Sequence, residues 1–304
     1  MGVLVFVERS RVGGTHLDLL GTVLGGGGLC FVVYGFGHAV SAKWGDESTW
    51  GSLVLGGGLL GAFGAWQIRS RHPLLALRLL LSRTRGGSLV ALFITSIGIF
   101  GITLFLAYYL EGTLGYSPLR TGVYFVPLVA TIAISASVAS ARLLAMIGPR
   151  PLLPIGMLLG MLGIILFTRF TPQADYLGHV LPGLVVTGLG LGLIFASATA
   201  SATAGISHRD AGAASALVNS TQQVGASVGV ALLNTIAVSS SARYLLHVPL
   251  VATSPPEVIA RATLHGYAVA FYRAAGFFGF RALSTLALLE SGVPELDGDL
   301  VTQR

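Results

Sequence analysis

The sequence predicts an all-α polytopic membrane protein with about eight transmembrane helices, and three observations carry that reading. Hydrophobic residues make up 53% of the 304 positions and charged residues only 10%, against about 25% charged in an ordinary soluble domain. The apolar residues fall into eight runs, each near the roughly 20 residues that cross a bilayer. The charges collect between those runs, as in chains that thread a membrane.

The runs cover residues 18–38, 50–68, 88–110, 119–141, 151–168, 177–203, 212–239 and 265–289. Loop-forming residues separate them: Lys43 to Ser48, Arg69 to Gly87, Gly115 to Pro118, Gly148 to Pro151, Thr171 to Asp175, Ser207 to Asp210, and Pro255-Pro256. Asp210 reads as the N-cap of the seventh span. Small residues four apart recur at Gly21/Gly25, Gly57/Gly61, Gly156/Gly160, Gly188/Gly192 and Gly225/Gly229. Such pairs let helix backbones approach closely in lipid. The glycine runs at 25–28 and 188–192 are not followed by Gly-Lys-Ser/Thr, so they are not read as phosphate cradles.

The net charge of +6 rests on 17 Arg and the single Lys43. Its placement between apolar runs points to a membrane surface and away from a nucleic-acid partner. The connector 69–87 holds Arg69, Arg71, Arg78, Arg83 and Arg85 with no acid, so it is expected on the cytoplasmic side. Alternation then gives that side 11 basic residues and the other side five: Lys43, Arg120, Arg169, Arg243 and Arg261. Both termini are expected in the cytoplasm of a multi-pass cell (plasma or inner) membrane protein. Residues 1–17 form a cytoplasmic N-terminal segment and 290–304 an acidic cytoplasmic tail carrying Glu295, Asp297 and Asp299. His72 to Leu81 is too short to span and reads as a basic connector at the lipid surface.

Several function classes are disfavoured. The one cysteine, Cys30, rules out an intrachain disulfide or a multi-cysteine metal site within these residues. The start, MGVLVFVERSR, lacks the basic n-region and long apolar run of a cleavable signal peptide. No histidine pair at metal spacing and no Ser-x-x-Lys is present. The expectation is a protein that is not an enzyme and uses no cofactor or metal.

Polar groups inside spans mark functional positions. In the seventh span Asn219, Gln223 and Asn234 fall within roughly a 60° arc at 100° per residue, with Gln222 at its flank. The stripe reads either as a substrate-cavity wall or as interhelical hydrogen bonding. The third span carries Thr95, Ser96 and Thr103, with Tyr108, Tyr109 and Glu111 at its outer end. Interfacial tyrosines ordinarily anchor a helix. No Asp or Glu lies deep in any span, whereas Arg273 and Arg281 interrupt the last one. Each costs about 2.5–3.5 kcal/mol at mid-helix unless it snorkels or finds a partner.

Several segments together resemble one family. Tyr109-Leu-Glu-Gly-Thr-Leu-Gly-Tyr-Ser-Pro-Leu-Arg-Thr-Gly122 and Phe125-Val-Pro127 resemble the first outer loop of the C-terminal half of fourteen-span drug:proton antiporters of the major facilitator superfamily. Gly148-Pro-Arg-Pro-Leu152 resembles that half's cytoplasmic gating motif. Asp210-Ala-Gly-Ala-Ala-Ser215 with Asn219-Ser-Thr-Gln-Gln-Val-Gly225 resembles its penultimate helix. Leu17-Asp-Leu-Leu-Gly21 and His72-Pro-Leu-Leu75 are similar to the segments bracketing an inserted helix pair.

The resemblance implies an inserted transmembrane pair at 18–68, the connector 69–87, and a six-helix transporter half-domain at 88–289 built of two inverted three-helix repeats. It also implies that the third, fourth, sixth and seventh spans line a central cavity. That favours Asn219, Gln222, Gln223, Asn234, Thr95 and Tyr108 as cavity residues. Of the gating motif Arg142, Gly148 and Arg150 remain, while Ala145 and Met146 replace its usual Asp and Arg. The implied activity is proton-coupled efflux of an amphipathic small molecule by alternating access. An N-terminal six-helix half, a separate partner, or a homodimer would complete the carrier. The alternative is a non-transporting membrane interaction module or a degenerate fragment.

Overall fold

A computed structural model describes residues 18–42, 44–69, 83–171, 175–206, 211–247 and 256–288. The sequence-level readings on the rest of the connector, on the N-cap at Asp210 and on the acidic tail lie outside the described residues. Eight main helices occur among them. They are α1 (Leu19–Ala42), α2 (Glu47–Arg69), α3 (Arg83–Tyr108), α4 (Pro118–Val138), α5 (Pro149–Leu166), α6 (Leu181–Thr203), α7 (Ala211–Leu246) and α8 (Pro256–Leu288). Wide π turns extend α3 over Tyr109–Thr113 and α4 over Ala139–Leu143, and another leads into α6 over Tyr176–Val180. In lipid the backbone must satisfy its own hydrogen bonds, which is why chains this apolar fold as helices.

Seven of the helices, α1 to α7, are long and apolar enough to cross a membrane. The eighth expected span is a helix but does not reach that apolarity, because Arg273 and Arg281 interrupt it. Packing nevertheless places it in the bundle. Ala270, Phe271, Ala274, Ala275, Phe278 and Ala282 of α8 are buried against α3, α5 and α7. Helices α7 and α8 run past their apolar stretches, since Ser239 to Ser241 and Arg243 end hydropathy without ending helical hydrogen bonding.

The bundle has two distinguishable ends. One, the arginine end, joins the start of α3 to the ends of α6 and α8: Arg85 Nη2 donates to Ala204 O (2.7 Å) and Arg281 Nη2 to Gly87 O (2.7 Å). At the other, the aromatic end, Tyr109 stacks on Phe170 (4.1 Å between centroids) and its hydroxyl donates to Thr171 O. Tyr124 stacks on Tyr176 (4.0 Å), whose hydroxyl donates to Tyr124 O. Arg120 donates to the Tyr124 hydroxyl and lies 4.0 Å from the Tyr116 ring centroid.

Helices α4, α6, α3 and α7 contact one another in that order, while α5 packs on α6 and α8, and α8 packs on α3, α5 and α7. Exchanging α3–α4–α5 with α6–α7–α8 turns the α3–α7 contact into α6–α4 and the α3–α8 contact into α6–α5. The α3–α6 and α5–α8 contacts map onto themselves. The α5–α6 contact is much more extensive than its counterpart α3–α8, and the α7–α8 contact has no comparably close counterpart.

Glycine sets these distances. A Cβ at Gly156 would come within 2.8 Å of Gly190 O, and one at Gly190 would collide with the backbone of Gly160. Gly188 and Gly192 do the same for α6 on α4, and Gly225 and Gly229 for α7 on α3. Phe278 of α8 fills the notches left by both Gly98 on α3 and Gly160 on α5. Gly57 and Gly61 meet nothing within 4 Å, so that pair brings no helices together here.

Helices α1 and α2 form a hairpin whose α1 side leans on α7, with Trp44 Nε1 donating to Thr235 Oγ1 (2.7 Å). Asp18 ties its arginine end. Its carboxylate accepts from Gly21 N, Trp66 Nε1 and Gln67 Nε2. Those bonds, the Gly21 amide first, hold its pKa below the ordinary value. At the opposite turn Asp46 is likewise lowered, first by the Ser48 hydroxyl and then by His38.

Two outcomes are expected. Gly190→Val should force α5 and α6 apart and cost about 1–3 kcal/mol, whereas Gly57→Ala, in open space, should cost nothing. Thermal unfolding in detergent of the two variants separates them. Second, a depressed carboxylate pKa stabilises the folded state above the unfolded value and is lost as pH falls through the folded one. Amide exchange at both hairpin ends should therefore stay slow to below about pH 4 and rise on further acidification. Asp18→Asn should speed exchange near Gly21 already at neutral pH.

Candidate functional site

The order α4–α6–α3–α7 defines a wall, and each of its two middle helices keeps one face uncovered. On α3, Gly98 and Phe105 meet Phe278 and Phe271 of α8. Phe100 and Thr103, on the far side of that helix, are exposed. On α6, Gly190 meets α5 while Gly188 and Gly192, on the opposite face, meet α4. Leu189, about 100° around the helix from Gly190, and Thr199 near the end of α6 are exposed. The two helices also occupy equivalent places under the three-helix exchange. Beyond α6, helix α4 presents Val123, Val126, Val129 and Ile134 to no described helix.

The residues expected at the cavity divide among different surroundings. Asn219 and Gln223 are exposed, and Gln222 and Asn234 are half-buried. None of the four side-chain amides hydrogen-bonds to a described residue, so interhelical bonding does not use them among these residues. Gly225 and Gly229 bring α7 onto α3, and Asn219 and Gln223 lie about 120° around the helix from them. Tyr108 is 49% exposed at the aromatic end of α3. Thr95 faces the other way: it is fully buried, and its hydroxyl donates to Ala91 O at 2.7 Å. In this arrangement Thr95 lines no open surface. Phe100, Leu189 and Thr199 stand out only once the positions of α5 and α8 are known, because nothing in their residue type separates them from lipid-facing neighbours.

The arginine end holds the remnant of the gating motif. Arg142 is exposed in the π turn that follows α4. Gly148 breaks the chain before α5 with φ +73°, a conformation that favours glycine. Arg150 is half-buried in the first turn of α5. Arg281 reaches Gly87 O from inside the bundle, with its Nε buried and unpaired among the described residues. Arg273, two turns earlier, is exposed. The six acids of the described residues, Asp18, Asp46, Glu47, Glu111, Asp175 and Glu257, all sit at helix ends or in turns. No group of three or more His, Cys, Asp or Glu is gathered as a metal site would need among them.

This is the architecture of a polytopic helical membrane protein with an open wall of four helices. Residues 61–230, over half of the chain, match the Major Facilitator Superfamily, and the chain belongs to that family of transport proteins rather than enzymes. It is 43% identical over 300 residues to a puromycin resistance protein of Streptomyces alboniger, an alignment covering 98% of this chain and 59% of that protein. A cephamycin export protein of Amycolatopsis lactamdurans is 30% identical over 77% of this chain and 48% of its own length. A tetracenomycin C resistance and export protein of Streptomyces glaucescens is 30% identical over 78% of this chain and 44% of its own. The chain thus spans about half the length of these curated relatives.

The Arg281 bond can be tested directly. Arg281→Leu should lower stability by about 1–3 kcal/mol by removing the charged hydrogen bond to the Gly87 carbonyl, with Arg281→Lys recovering part of it, as read by thermal unfolding in detergent. A leucine variant at least as stable as the parent would mean that relief from charge burial outweighs the bond.

Proposed function

We propose that the chain forms one wall of a proton-coupled efflux carrier for amphipathic small molecules, working by alternating access against an opposing six-helix half. The observation that carries this reading is the pair of uncovered sides on α3 and α6, equivalent under the three-helix exchange. A carrier of this family needs a facing wall around a midplane site. The export and resistance functions named for the relatives support the direction of transport. Residues 88–289 are the transporter half-domain in this reading, and the α1–α2 hairpin is an inserted pair flanking it. The arginine end faces the cytoplasm, in keeping with the basic excess there, so both termini are cytoplasmic.

Substrate meets Phe100, Thr103, Leu189 and Thr199 on the wall, with Asn219, Gln223 and Tyr108 at its margins. Amide groups that are not committed to neighbouring helices are free to bond a ligand. The position of every described acid at a helix end supports assigning the proton-carrying carboxylate to the opposing half. Arg142, Gly148 and Arg150 serve at the cytoplasmic hinge between α4 and α5.

The test is efflux of a fluorescent amphipathic cation from proteoliposomes holding the chain together with a six-helix N-terminal half of a close relative. Activity should require an imposed pH gradient. Asn219→Ala and Gln223→Ala should each lower it about fivefold at equal protein, the effect of losing one hydrogen bond. Phe100→Ala should change which compounds are moved. Efflux unaltered in all three variants would remove the wall assignment. Absence of transport despite a stable complex would favour an interaction module.

A further inference from the structure

At the aromatic end, the last turns of α7 and the third turn of α8 enclose a cleft of about 310 Å³ lined by Ser240, Arg243, Tyr244, His247 and His265. The Tyr244 and His265 rings approach to 5.1 Å between centroids. His247 Nδ1 donates to Arg243 O at 2.8 Å, since a carbonyl can only accept. That bond fixes the ring against its own turn, and its Nε2 has no hydrogen bond to a described residue. Arg243 is exposed and forms no ion pair with a described residue. The segment 248–255 between the two helices contains no Asp or Glu, and Glu257, the acid nearest in sequence, lies about two turns before His265 on α8.

One guanidinium, two imidazoles and two hydroxyls therefore share a cleft without a carboxylate lining it. Arginine and hydroxyl donors match the oxygens of a phosphate. The depth also fits. The 36 residues of α7 measure about 54 Å at 1.5 Å per residue, against about 30 Å of hydrocarbon. With that excess shared between its two ends, its last turns reach the headgroup level. We infer that this cleft binds an anionic phosphate group. The inference stands apart from the transport wall and does not depend on the efflux reading. The same chemistry is offered by an anionic lipid headgroup and by a small soluble phosphate.

The experiment uses the full chain, delipidated in neutral detergent. It is titrated with short-chain phosphatidylglycerol, with phosphatidylcholine of the same chain length, and with inorganic phosphate, and binding is read by native mass spectrometry and thermal shift. Phosphatidylglycerol should bind at least tenfold more tightly than phosphatidylcholine. Arg243→Gln and His265→Ala should each weaken it about tenfold, the scale of one charge-assisted hydrogen bond, and Arg243→Lys should retain part of the affinity. Displacement of the lipid by millimolar inorganic phosphate would assign the site to soluble phosphates while upholding the chemistry. Equal binding of both lipids, or indifference to either substitution in a variant that melts like the parent, would overturn the inference. If Arg243→Gln does not fold, His265→Ala decides it.

Discussion

The close approach of α5 to α6 is the constraint on which the rest of the bundle depends. In lipid no hydrophobic force drives helices together, so contact area and backbone proximity must hold them. Gly156, Gly160 and Gly163 face Thr187, Gly190 and Ile194 with no side chain between the backbones at the tightest points. That seats α6 between α5 on one side and α4 on the other, and leaves the face that carries Leu189 open. The position of Gly160 also opens the notch that Phe278 fills, which brings α8 onto α5 and, through Gly98, onto α3. The wall thus owes its geometry to residues chosen for what they lack.

Polar groups secure the ends of this apolar assembly. Arg85 donates to the Ala204 carbonyl, just past the last residue of α6, and Arg281 adds a second bond to the Gly87 carbonyl in the first turns of α3. A guanidinium inside a span is costly, and bonding at the arginine end shortens the distance over which it must reach polar surroundings. Tyr109 and Tyr176 perform the matching task at the other end by stacking with one face, on Phe170 and Tyr124, and donating with the hydroxyl. Tyr109 is therefore a packed pin within the bundle and not merely an interfacial anchor.

Much of the fold was legible in the sequence because bilayer thickness imposes a length on every apolar run. All eight runs became helices, and the starts of α4 and α5 fell within two residues of the expected ones. The overhangs of α7 and α8 were not legible, since hydropathy reports the solvent and not helical hydrogen bonding. The glycine pairs were readable as motifs, yet Gly57/Gly61 and Gly156/Gly160 look alike in sequence and differ only in having a neighbour. Which face of a helix is covered is a property of the partner. For that reason Thr95 could be singled out although it points inward, and Phe100 and Leu189 could pass unnoticed. The polar stripe on α7 was visible as periodicity, but its freedom from interhelical bonding required coordinates.

The ring of Phe278 has a mechanical consequence. It is seated in two notches on two different helices, so sliding α3 along α5 would have to unseat it from both together. Strain applied to either helix is passed to the other through a stiff aromatic plate. Helices α3, α5 and α8 therefore respond to load as a single block, and compliance is left to the wide turns at Tyr109–Thr113, Ala139–Leu143 and Tyr176–Val180, where helical hydrogen bonding is already loosened.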